Sequence, residues 1–142
     1  MILWQGLGRP ILLSTRRLPV TSDTHTLVHL CSSQEWADAR RVGERRPPSL
    51  SESGFVHLST PAQVHLPANR LFAGRTDLVV LWLDPSRFTG EVRWEPGVPT
   101  DPASMLFPHL YAPLPVAAVL EAVAYLPGPD GRFDTPRRGT VA

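Results

Sequence analysis

The chain has no lysine; all 14 of its cations are arginine. That excludes Schiff-base catalysis through an internal amine, and any P-loop, whose lysine reaches the phosphates. There is a single cysteine, Cys31, so neither a disulfide framework nor a cysteine-based zinc site can form. A reducing, cytoplasmic setting is the expectation. No stretch approaches the roughly 18 apolar residues of a membrane-spanning helix. Net charge is +1, which gives no electrostatic case for nucleic acid as a partner. The arginine pairs Arg40-Arg41, Arg45-Arg46 and Arg137-Arg138 read as solvated faces. No G-x-S-x-G elbow is present. Among His29, His57 and His109 no pair has close metal-ligand spacing, so no metal is expected.

What remains is a chain of 142 residues, 42% apolar, with 16 prolines. That is enough for one domain with a real core, built from short elements. Residues 1–25 differ from the rest. Apolar patches there are broken by Gly8, Pro10 and Pro19, and no signal-peptide pattern is present. They read as a partly ordered extension or a misassigned start. A strand at residues 10–14, covering a sheet edge or a partner, is the alternative.

The compact part spans 26–134, followed by a polar tail, 135–142. "TLVHLCS" reads as a strand by alternation and β-branched content. Ser32 with Glu35 forms a capping box, and Trp36, Ala39 and Val42 recur at helical spacing up to Gly43. "ERRPPSLSESG" reads as a polar loop and "FVHLST" as a second strand. Thr60, Pro61 and Gln63 then open a helix that Pro67 should break or kink. "DLVVLWLDP" is so apolar that a central strand covered on both faces is expected. "EVRWEP" alternates as a strand, and "HLYAPL" (109–114) is a short strand. "PVAAVLEAVAYL" begins at helical spacing and could end as a strand near Val123–Leu126. The fold class is α+β with short strands.

Strand alternation selects the candidate site. Phe55, His57 and Ser59 share one strand face, and Leu27, His29 and Cys31 share another. If the two strands are neighbours, both histidines reach one cleft. His109 and Tyr111 can present an imidazole and a phenol together. Glu95, where its strand ends, can hold a ribose hydroxyl or stabilise positive charge. Asn69 and Arg70 are candidate contacts for a phosphate or carboxylate. Each of these also has a plain structural reading, as a satisfied core histidine, a core thiol at Cys31 or a surface ion pair.

The blocks "LVHLCSSQEW", "RPPSLSESGFVHLSTPAQV", "ANRLFAGRTDLVVLWLDP", "VRWE", "FPHLYAPL" and "PGPDGRF", in that order, resemble the DUF952 family, a bacterial family named for its unknown function. More distantly, the pattern is similar to the ADP-ribosyltransferase-like fold, a split, curved, mostly antiparallel sheet around a cleft that takes NAD. That resemblance implies His29 at the first-strand position, Ser59 and Thr60 at the second, and Glu95 at the third. The extra histidines, His57 and His109, depart from it and suit acid–base work near neutral pH. Three readings follow. The first is an enzyme on NAD or an ADP-ribosyl or phosphoribosyl compound. The second is an NAD-independent histidine enzyme that eliminates, isomerises or cyclises a small metabolite. The third is a non-catalytic binding domain, with the apolar residues of segment 2–13 as a contact surface.

Overall fold

The computed structural model describes residues 26–98 and 105–139. The expected extension over 1–25, with its alternative strand, and positions 140–142 of the tail lie outside them.

Strand β1 (Leu27–Ser32) leads directly into helix α1 (Ser33–Val42). Ser32 ends one and caps the other. Its Oγ accepts from the Glu35 N–H at 3.0 Å, and its own N–H donates to Glu35 Oε1 at 2.8 Å, the reciprocal pair that the spacing predicts. Gly43, at φ 100°, ends the helix in the left-handed region and donates to the Ala39 carbonyl.

The expected polar loop is not a loop. It holds a two-residue strand β2 (Glu44–Arg45) and a helix α2 (Pro48–Ser53) that begins on a proline, where the missing N–H costs nothing. Strand β3 is shorter than expected, Val56–His57. Helix α3 (His65–Phe72) follows a turn in which Thr60 N–H donates to Gln63 Oε1. Pro67 does not break α3: it falls in the first turn, whose amides need no partner inside the helix.

Strand β4 (Leu78–Leu83) is the centre of a three-stranded sheet, antiparallel both to β1 and to the segment Val119–Tyr125. Leu81 and Leu83 face one apolar cluster, Leu78, Val80 and Trp82 the other, so the strand is covered on both sides as its unbroken apolar run predicts. A second sheet has the order β3–β6–β5, with β5 at Val92–Pro96 and β6 at Leu106–Leu110. Strand β6 therefore starts earlier than the expected 109–114 strand and stops at a bend. Beyond it β7 (Leu114–Pro115) pairs with β2.

The helical reading of 116 onward is corrected. A single 3-10 turn (Val116–Ala118) precedes strand β8 (Val119–Tyr125). Val119, Glu121, Val123 and Tyr125 are the more buried residues, while Leu120, Ala122 and Ala124 are exposed. The segment is β-branched enough to follow the period-2 option when β4 offers an open edge. The whole is an α+β arrangement of antiparallel sheets and few helices.

The two larger sheets meet where Val28 and Ser59 exchange backbone hydrogen bonds of 2.8 and 2.9 Å. Gly90 allows the close approach that seats β5 against the end of β6, since a Cβ there would lie 2.9 Å from the Tyr111 carbonyl oxygen. Replacing it by alanine should cost about 1–3 kcal/mol, as overpacking does. Urea unfolding measures this, and a change below about 0.5 kcal/mol would show that the contact is not tight.

Candidate active site

Pairing within β3–β6–β5 builds one polar face. His57 stands opposite His109, and His109 opposite Arg93. The Tyr111 N–H donates to the Glu91 carbonyl at 2.8 Å, which extends the same register. Alternation then puts Phe55, His57, His109, Tyr111, Arg93 and Glu95 on this face. Val56, Leu58, Leu110 and Val92 go to the core.

Glu95 Oε1 receives two hydrogen bonds, from His109 Nδ1 at 2.7 Å and from the Tyr111 hydroxyl at 2.8 Å. Those two donors hold its carboxyl below the usual range, so it is ionised near neutral pH. A carboxylate only accepts; His109 therefore carries its ring proton on Nδ1 and keeps Nε2 as the basic nitrogen. The same bond raises the Tyr111 phenol, which stays a donor. Arg93 pairs with Glu91 at 3.2 Å and lies 4.3 Å over the Tyr111 ring.

Phe55 stacks on His109, with centroids 4.0 Å apart and planes at 13°, and meets His57 edge-on at 4.9 Å. The two imidazoles stand perpendicular, 5.3 Å between centroids. Burial, then the neighbouring His109 and Arg70, lower the pKa of His57, which is neutral at pH 7.

His29 comes from the other sheet and is 5% exposed. Its Nδ1 contacts the His57 carbonyl at 2.8 Å, and its Nε2 faces Arg45 Nε at 3.2 Å. A carbonyl only accepts and a guanidinium only donates, so the ring is the neutral Nδ1–H tautomer. Burial, with Arg45 adding to it, lowers its pKa to about 4.

These groups border a cleft of about 470 Å³, the size of a small-molecule site. His29, Arg45, Ser49, His57, Ser59, Arg70 and His109 supply its polar side chains, and the rest is largely proline, leucine and phenylalanine. Glu95 and Tyr111 do not line it; they hold His109, which does. Asn69 is placed elsewhere. Its amide clamps the Phe133 backbone, donating to the carbonyl at 3.0 Å and accepting from the N–H at 2.7 Å. Asn69 was expected to contact substrate; its amide is instead engaged with this backbone, and it does not line the cleft. The Thr60 backbone takes part in the turn before α3, and Thr60 does not line the cleft. Cys31 is buried, with its thiol pushed up to about 12, a core residue and not a nucleophile. Among the described residues no group of three or more His, Cys, Asp or Glu side chains could hold a metal ion, and no helix is long and apolar enough to cross a membrane.

Two members of the site were given no role by the sequence. Phe55 was placed on the face of His57, but its stacking on His109 was not foreseen. Arg45 was counted with its solvated neighbour. Its side chain is 12% exposed against 63% for Arg46, which lies just past the end of β2.

Fold and site together define a small α+β domain with antiparallel sheets and a cleft lined by imidazoles. The chain belongs to the DUF952 family, whose members are described as proteins of unknown function; the family model matches residues 30–122. It is similar to CC0527 from Caulobacter crescentus. The crystal structures of that protein and of a double mutant of it are each 27% identical, with TM-score 0.67, covering 77% of this chain and 93% of theirs. Its solution NMR structure is 28% identical, with TM-score 0.64, covering 76% and 90%. No curated protein matches.

His29 gives a pH prediction. Its ordinary value of 6.5 applies unfolded and about 4 applies folded, so between these values the unfolded chain binds the extra proton. Stability should be flat with respect to this group above pH 6.5 and fall as pH drops toward 4, by about 3 kcal/mol at the low end. His57, shifted the same way, adds to the slope. Urea unfolding of wild type and His29→Gln between these pH values measures it; equal slopes in both proteins would contradict it.

Proposed function

We propose that the cleft is the active site of an acid–base enzyme acting on a small metabolite, with His109 Nε2 as the base that takes a proton and returns it. The observation that carries this reading is the double hydrogen bond on Glu95. A carboxylate that orients an imidazole through Nδ1–H, and is itself braced by a phenol, is the arrangement that general-base histidines require. His57, held neutral and perpendicular to His109, is the second proton carrier. Phe55 against His109 keeps the ring dry on one side. Elimination, isomerisation or cyclisation needs only such positioned donors and acceptors, with no metal and no cofactor.

The test is proton exchange. Wild-type protein is incubated in deuterated water with a panel of small carboxylated and phosphorylated metabolites, and deuterium incorporation or turnover is followed by NMR. His109→Ala should lower the rate by about 10²–10⁴-fold, the usual worth of a general base, and Glu95→Gln by a smaller factor. An unchanged rate in His109→Ala, or no exchange and no turnover with any ligand that binds the cleft, sinks the reading.

NAD, or an ADP-ribosyl compound, is the second reading, together with an ADP-ribosyltransferase-like assignment of the fold. It is favoured by His29 and Ser59 lining one cleft from adjoining strands. Weighing against it, both nitrogens of His29 and one oxygen of Glu95 are already engaged. Calorimetric titration with NAD decides: saturable binding weakened by Glu95→Ala supports it, and no heat at millimolar NAD removes it.

A further inference from the structure

Arg45 is enclosed in the cleft wall with its charge held in place but not consumed. Its Nε donates to His29 Nε2 at 3.2 Å, and one terminal nitrogen lies 3.5 Å from Glu35 Oε2. A guanidinium has five N–H donors. The other three have no hydrogen-bond partner among the described residues.

Neither neighbour neutralises it fully. Glu35 is a distant partner at 3.5 Å, is 45% exposed, and spends its other oxygen on the Ser32 N–H in the capping box. His29 is an uncharged acceptor. A carboxylate in the place of His29 would fix the guanidinium equally well, but it would cancel the charge. A buried neutral imidazole fixes the geometry and leaves the cation intact. No Arg45 nitrogen is both buried and unpaired, so its remaining N–H groups open toward the cleft it lines, where an anion from outside the protein can replace water on them. Arg70 lines the same cleft and adds a second positive charge to its field.

We propose that Arg45 is the anion-holding residue of the cleft, and that the natural ligand carries a carboxylate or phosphate group which the open N–H edge of Arg45 receives as a bidentate pair. This names the substrate class for the acid–base reading above and rests on that reading for the chemistry alone; the binding stands or falls separately.

The first measurement uses the unaltered full chain. Phenylglyoxal modifies guanidinium groups, and peptide mass spectrometry follows Arg45 and Arg46 with and without inorganic phosphate or malonate. Saturating anion should slow modification at Arg45 by about fivefold or more and leave Arg46 unchanged, because only the enclosed fork is occupied. The second measurement titrates phosphate and malonate into labelled protein by NMR. Arg45→Met should weaken binding by about tenfold or more, and Arg45→Lys, which keeps the charge without the fork, by a smaller factor. Arg46→Met, at the exposed neighbour, should bind within about twofold of wild type. Protection at Arg45, with binding weakened in Arg45→Met and not in Arg46→Met, supports the proposal even where proton exchange fails. Equal modification of Arg45 with and without anion, or wild-type affinity in both Arg45 variants, overturns it.

Discussion

The hydrogen bond from His29 Nδ1–H to the His57 carbonyl is the contact on which the site depends. It crosses from β1 of one sheet to β3 of the other at 2.8 Å, beside the backbone exchange between Val28 and Ser59. A side chain that bridges two sheets in the interior must have its polar atoms satisfied at both ends, because an unpaired buried nitrogen costs about 1–3 kcal/mol. The second end is Arg45. Arg45 is in turn steadied by Glu35, and Glu35 is locked by the capping box of α1. One imidazole thus couples the seam between the sheets, the start of a helix and the wall of the cleft. With its pKa pushed down to about 4 by burial, the His29 ring is neutral at pH 7. Its work is geometric.

His109 uses the same tautomer to the opposite end. Both rings carry the proton on Nδ1 and spend it on an oxygen. In His29 the remaining nitrogen meets a guanidinium and is closed. In His109 the Nδ1 partner is a carboxylate, and Nε2 is left for the cleft. The chemical difference between the two histidines is therefore set by what stands around each ring, not by the strand that delivers it. The cleft is correspondingly divided, with cations at Arg45 and Arg70 and the imidazoles of His57 and His109 across from them.

Much of this face was legible in the sequence, because strand alternation is strict. The sharing of one face by His57 with Phe55, and by His109 with Tyr111, follows from period two alone. The convergence of β1 and β3 was conditional on the strands being neighbours, which Val28 and Ser59 satisfy. The capping box and Gly43 fixed α1 from local chemistry. The misreadings came where local pattern and tertiary context part. Val116–Tyr125 fits two periods, and only the open edge of β4 selects the strand. Glu44–Ser53 is polar enough to look like a loop, yet it supplies Arg45. Asn69 carried a plausible polar side chain, but its partner is the Phe133 backbone, 64 residues away, a pairing no local window contains. Glu95 was placed correctly at a strand end, while its partners, His109 and Tyr111, follow only from the antiparallel register of β5 and β6.

The segment from Val56 to Ser59 changes allegiance within four residues. Val56, His57 and Leu58 are tied to β6, the last through an N–H that donates to the Pro108 carbonyl at 3.0 Å, and Ser59 is tied to β1. Mechanically it acts as a rivet between two plates. Shear of one sheet over the other loads this short segment, and His57 sits within it. A ligand that spans the cleft from Arg45 to His109 would brace the same joint from outside. Occupancy of the cleft would then stiffen the seam between the two sheets.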